Sequence, residues 1–153
     1  MTLTRNEFVV STEWLDRQLL NPNLRIIDAS WYLPDLNRSP LEEYKERHIP
    51  GASFFDLDEF SDADSNVPHM ALDPGSFSKK IEVFGINPNC IVVVYDGLGL
   101  FSAARLLWLF HLYGFTNVFI LDGGLPKWLS ENREVDSKIV MHEQCHFITS
   151  YCK

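Results

Sequence analysis

The chain has 153 residues, enough for one domain with a real core, and 46% apolar residues, which excludes a disordered chain. A net charge of −8 argues against a nucleic-acid partner, since neutralising phosphate needs a basic face. No apolar run is long enough to span a bilayer and the amino terminus lacks a signal peptide's apolar core, so no membrane partner and a cytoplasmic location are expected. Three cysteines, Cys90, Cys145 and Cys152, cannot make an even disulfide framework, and reduced thiols are expected.

Phe8 to Val10 reads as a first strand. Ser11 or Thr12 can cap the helix that follows, whose inward stripe is Trp14, Leu15, Gln18 and Leu19. Asn21-Pro22-Asn23 ends it, and Leu24 to Ala29 is a second strand containing Asp28. Ser30 to Pro40 is a loop carrying Trp31 and Tyr32. Leu41 to Arg47 is a short charged helix, with Glu43 and Arg47 spaced to pair. His48-Ile-Pro-Gly-Ala is a turn, and Ser53 to Leu57 a third strand. Asp56 to Pro74 is a long acidic loop, and Ser76 to Phe84 a helix stopped by Gly85 and Asn87-Pro88.

Ile91 to Val94 is a β-branched run suited to a strand covered on both faces. Gly97 and Gly99 permit a tight loop, and Ser102 offers an N-cap to the helix Ala103 to Tyr113. Val118 to Leu121 is a last strand, and Leu125 to Asn132 a closing helix with Pro126 in its first turn. Strands alternate with helices throughout. The expected fold is therefore α/β, a mostly parallel five-stranded sheet with helices on both faces. From about Val135 the pattern fails. Residues 8–134 are expected to form the domain, and 135–153 a linker or the start of a missing second domain.

In an open α/β sheet, ligands sit in the loops at the carboxyl ends of central strands. The loop Asp96, Gly97, Leu98, Gly99, Leu100, Phe101 is that place here, and the N–H groups opening the next helix favour an anion. Gly97-Leu-Gly99-Leu-Phe-Ser102 nearly matches a dinucleotide fingerprint, with Asp122 about 20 residues on. Ser102 replaces the third glycine, however, Asp96 would face the pyrophosphate, and no second βαβ half follows. Asp62-Ala-Asp64-Ser-Asn66 resembles a calcium loop, but Val67 stands where glycine is needed. His142, Cys145, His146 and Cys152 have no ordinary zinc spacing. No metal and no cofactor are expected.

His48-Ile-Pro-Gly-Ala-Ser-Phe-Phe-Asp resembles the rhodanese signature. Val10-Ser-Thr-Glu-Trp-Leu, Asp28-Ala-Ser-Trp-Tyr-Leu-Pro, Pro68-His-Met-Ala-Leu-Asp-Pro, Val94-Tyr-Asp-Gly, Phe101-Ser-Ala-Ala-Arg and Leu121-Asp-Gly-Gly-Leu-Pro-Lys-Trp resemble the amino-terminal half of the two-domain sulfurtransferases. These are thiosulfate sulfurtransferase (rhodanese) and 3-mercaptopyruvate sulfurtransferase. The resemblance covers roughly Val9 to Glu134.

It implies a second, carboxy-terminal rhodanese domain, in the same gene or a separate chain. There a loop cysteine takes sulfur as a persulfide and passes it to cyanide or a thiol. In the amino-terminal domain the equivalent position is typically aspartate, here Asp96. No catalytic residue is therefore expected in this chain, and a charge at the loop mouth should repel thiosulfate or mercaptopyruvate. Rhodanese-fold phosphatases also need a loop cysteine, which Asp96 excludes. Cys90 precedes the central strand, roughly 15–20 Å from the loop. Trp31 and His69 are the residues implied to face the sulfur donor across the interdomain cleft. His48 is expected to fix its turn, and Arg105 to pair with Asp28 or Asp122. The rival expectation is a stand-alone, non-catalytic binding or regulatory module. An exposed interdomain face would in either case allow a homo-oligomer.

Overall fold

The computed structural model describes residues 8–32, 37–55, 84–86, 89–98 and 102–138. Five strands form one sheet: β1 (Val9–Val10), β2 (Leu24–Asp28), β3 (Ala52–Phe54), β4 (Ile91–Tyr95) and β5 (Val118–Leu121), in the order β1-β5-β4-β2-β3. Every pairing is parallel. The helices are α1 (Thr12–Gln18), α2 (Pro40–Glu46), α3 (Ala103–Leu112) and α4 (Gly124–Ser130).

Alternation along the strands sorts the core into two layers, because successive side chains leave a strand on opposite faces. Val92 and Val94 of β4, Ile27 of β2, and Val118 and Ile120 of β5 face Leu106, Leu109 and Phe110 of α3, with Phe84 and Ile86 in the same layer. Val93 and Tyr95, Ile26, and Leu121 face the other way, onto Leu15 of α1, Tyr44 of α2 and Trp128 of α4. With both faces covered, β4 needs the continuous apolar run Ile-Val-Val-Val that the sequence supplies.

Local chemistry sets the helix ends. The Ser11 hydroxyl accepts from the Trp14 N–H at 3.0 Å and caps α1. Replacing Ser11 by alanine should cost about 1 kcal/mol, read as a lower urea midpoint. Gly114 closes α3 at φ +90, a left-handed turn that lets the Phe115 N–H reach back to the Phe110 carbonyl at 2.9 Å.

The predicted strand over Ser53 to Leu57 begins one residue earlier and runs Ala52–Phe54. Of the predicted helix Ser76 to Phe84, only Phe84 is among the described residues, as a buried core residue. His48 fixes its turn as expected. Its Nδ1 lies 2.8 Å from the Tyr44 carbonyl, and its ring stacks on Tyr44 at 4.1 Å. Its backbone also bridges antiparallel to Asp136, with both N–H···O bonds at 2.8 Å. Val135 packs against the same core layer, so the first residues after Glu134 stay attached to the domain. No helix among the described residues is long and apolar enough to cross a membrane.

Candidate functional site

The sheet order creates a switch point. Chain leaving β2 passes to α2 on one face, and chain leaving β4 passes to α3 on the other. Between the two lies a crevice at the strands' carboxyl ends, the usual ligand position in such sheets. Register makes this tight. Asp28 lies opposite Tyr95, and the Ala29 N–H donates to the Tyr95 carbonyl at 2.8 Å. Ser30 and Asp96 are thereby brought to the same edge.

Asp96 is the centre of the site. Its side chain turns inward and is only 1% exposed. One carboxylate oxygen accepts from the Leu98 N–H at 2.9 Å; the other accepts from the N–H groups of Ser102 and Ala103 at 2.8 and 2.7 Å. The group caps α3, placing negative charge where the helix dipole favours it. This corrects two expectations. Ser102 does not cap with its hydroxyl, which instead donates to the Ala29 carbonyl at 2.5 Å. Nor is Asp96 a charge displayed at the loop mouth: it is buried and takes the N–H groups of Leu98, Ser102 and Ala103 from within.

Behind Asp96 sits a second buried carboxylate. Asp28, 3% exposed, accepts at one oxygen from the Ser30 N–H at 2.9 Å and the Ser30 hydroxyl at 2.6 Å. The Ser30 hydroxyl oxygen in turn accepts from the Gly97 N–H at 2.9 Å. Burial pushes the Asp28 carboxyl up to about 6, opposed by the Ser30 bonds and aided by repulsion from Asp96. Tyr95, hydrogen-bonded to Asp28, is held well above the usual phenol range, chiefly by burial.

On the α2 side, the Tyr32 hydroxyl donates to Glu43 at 3.0 Å, and Arg38 bonds both Tyr32 at 3.1 Å and Glu43 at 2.7 Å. Arg38 also lies over the Tyr32 ring at 4.0 Å. Burial raises the Tyr32 hydroxyl to about 12, so it remains a donor at any working pH. Glu43 is lowered, mainly by its bond to Arg38; the pair expected with Arg47 is replaced by this one. Two hollows open here. One, of about 390 Å³, is lined by Arg38, Glu43, Arg47, Gly97 and Leu125. The other, of about 180 Å³, is lined by Trp31, Tyr32, Leu41 and Phe54.

Of the residues singled out in the sequence, Asp96, Gly97 and Leu98 fall at this edge, and Trp31 is half-buried there against the α3-side core layer. His69, Gly99, Leu100 and Phe101 lie outside the described residues, as do the tail cysteines and the residues weighed for calcium and zinc. Cys90 is buried at the amino end of β4, the opposite edge from the site. Arg105 does not pair with Asp28 or Asp122. Asp122 bonds Lys127 at 3.0 Å, while the Arg105 guanidinium lies 4.8 Å from the Trp108 ring centre. Sequence reasoning missed the roles of Ser30 and Tyr32; the only signal was their place directly after a strand ending in aspartate.

Residues 11–131 match the rhodanese-like domain family. Thiosulfate/3-mercaptopyruvate sulfurtransferase 1, mitochondrial, of Arabidopsis thaliana is 46% identical over 136 residues, 89% of this chain and 36% of that protein. Rat 3-mercaptopyruvate sulfurtransferase is 42% identical over 135 residues, 84% of this chain and 46% of that protein. The chain thus spans between about a third and a half of the length of these relatives. A solved 3-mercaptopyruvate sulfotransferase of Escherichia coli superposes with a TM-score of 0.88 at 34% identity, covering 95% of this chain and 56% of that one. The five-stranded parallel sheet, the order of its strands and the loop after its central strand are those of a known architecture, and the chain belongs to the rhodanese-like domain family.

Proposed function

We propose that this chain is the non-catalytic, amino-terminal domain of a two-domain sulfurtransferase. The whole enzyme moves sulfur from thiosulfate or 3-mercaptopyruvate to cyanide or a thiol, through a cysteine persulfide in a carboxy-terminal rhodanese domain. The observation that carries this reading is the Asp96 carboxylate bonded to three N–H groups of the loop where a catalytic domain holds its nucleophile. A carboxylate cannot carry a sulfane sulfur. The Leu98, Ser102 and Ala103 N–H groups, bonded to Asp96, are not free to lower a thiol's pKa or hold an oxyanion.

The domain's part is then to complete the cleft of its partner. Trp31 presents half-buried aromatic surface at this edge, and His69 is the second residue assigned to that cleft. Leu41 and Leu98, each 42% exposed, lie at the same carboxyl edge and suit contact with another protein surface. The test is turnover by the chain alone. With thiosulfate and cyanide, or 3-mercaptopyruvate and a thiol, release of thiocyanate or pyruvate should match the protein-free blank. Release well above the blank would refute the non-catalytic role.

A further inference from the structure

The way Glu43 is engaged leaves an arginine over, and that arginine borders a hollow. Arg38 bonds one Glu43 oxygen at 2.9 Å and the other at 2.7 Å, and the Tyr32 hydroxyl donates to the second at 3.0 Å. Arg47, one turn further along and spaced to pair with Glu43, has no ion pair or side-chain hydrogen bond among the described residues. Nor has Glu46, the last residue of α2. The nearest cation in sequence, Lys45, is joined to Glu42 at 3.8 Å.

Arg47 and Glu46 line one hollow of about 390 Å³, together with Arg38, Glu43 and Gly97. The rest of its lining is apolar: Leu125, Pro126 and Leu129, which share a face of α4 because residues three and four apart are neighbours on a helix. The hollow lies beside the loop after β4, at the edge where such sheets take ligands, and its volume is that of a small-molecule site.

The charges select the ligand. Arg38 and Glu43 neutralise one another, which leaves one cation and one anion beside an apolar wall. A phosphate or sulfate would meet Arg47 but be opposed by Glu46. A neutral apolar ligand would strip water from both charges and offer them no partner. A small zwitterion with a short aliphatic chain satisfies all three surfaces at once.

We propose that the hollow between α2 and α4 binds a free aliphatic α-amino acid, with its carboxylate on Arg47, its ammonium on Glu46 and its side chain on Leu125, Pro126 and Leu129. Arginine suits the carboxylate because its planar fork can bond both oxygens. The site is independent of the sulfurtransferase reading.

The experiment is an NMR titration of the intact chain with L-leucine and with two analogues that each lack one charge, isocaproate and isoamylamine. Leucine should shift the amide signals of Arg47, Gly97, Leu125 and Leu129 saturably, with a dissociation constant in the millimolar range. Each analogue should bind about fivefold more weakly, the strength of one partly exposed ion pair. Arg47→Met and Glu46→Gln keep much of the side-chain bulk, and both positions are exposed, so both variants should fold. Each should weaken leucine binding about fivefold, while Glu46→Gln should leave isocaproate binding no weaker. Absence of a saturable shift with leucine would overturn the proposal. So would leucine binding that Arg47→Met leaves unchanged, and so would isocaproate binding as tightly as leucine, which would make this a plain carboxylate site.

Discussion

Replacing Asp96 by alanine is expected to destabilise the domain by about 3–4 kcal/mol, the largest effect of any single change at this edge. The substitution strands the N–H groups of Leu98, Ser102 and Ala103, whose present bonds to the carboxylate are 2.7 to 2.9 Å long. It also removes the negative charge at the start of α3, and a buried donor without a partner costs about 1–3 kcal/mol. The total stays below three full penalties because the loop can relax toward water. Asparagine is the informative control. It keeps the size but offers one acceptor oxygen, and its NH₂ must then face a donor, so it should recover only part of the loss. Urea unfolding followed by tryptophan fluorescence reads both variants. A loss under about 1 kcal/mol for alanine would mean that the carboxylate does not hold the loop.

The second large effect is expected from Gly97→Ala. A Cβ on Gly97 would fall 1.9 Å from the Tyr32 hydroxyl oxygen and 3.1 Å from its ring carbon. Tyr32 cannot simply swing away. It is buried, its hydroxyl is bonded to Glu43 and Arg38, and the Arg38 guanidinium covers its ring. Overpacking plus at least one broken bond gives about 2–3 kcal/mol. The cause can be isolated by a double-mutant cycle with Tyr32→Phe, which deletes the clashing oxygen. The double variant should be less destabilised than the two single losses added together, by about 1 kcal/mol or more. Strict additivity would place the strain elsewhere.

Gly97 also marks where the sequence stops being legible. Read locally, it permits a tight turn. In the structure it is absent from the residues with positive φ, and its requirement is space for a tyrosine from another loop. That constraint is set by β2–β4 register and cannot be seen in a window around Gly97.

The strands were legible because their apolar runs are a local signal. Ile91–Tyr95 and Val118–Leu121 fall where the β-branched and aromatic residues cluster. The position of the candidate loop followed from the strand–loop–helix order alone. What the loop does with its polar groups did not. Ser102 has the right residue type for a cap, yet Asp96, six positions earlier, takes the N–H groups and frees the Ser102 hydroxyl for Ala29. A charged acceptor outcompetes a neutral hydroxyl for the same donors. Arg105 was assigned an acidic partner by charge alone, whereas the two acids named for it are already engaged, Asp28 by Ser30 and Asp122 by Lys127.

In the proposed reading, the Asp96 carboxylate of the loop after β4 stands where a catalytic domain holds its sulfur acceptor. Mass spectrometry of the chain after incubation with thiosulfate and with 3-mercaptopyruvate tests it most directly. No peptide should carry an added sulfur atom: Cys90 is buried at the far edge of the sheet, and the loop contains no thiol. A persulfide mapped to Cys90, Cys145 or Cys152, formed with either donor and discharged by cyanide, would contradict it.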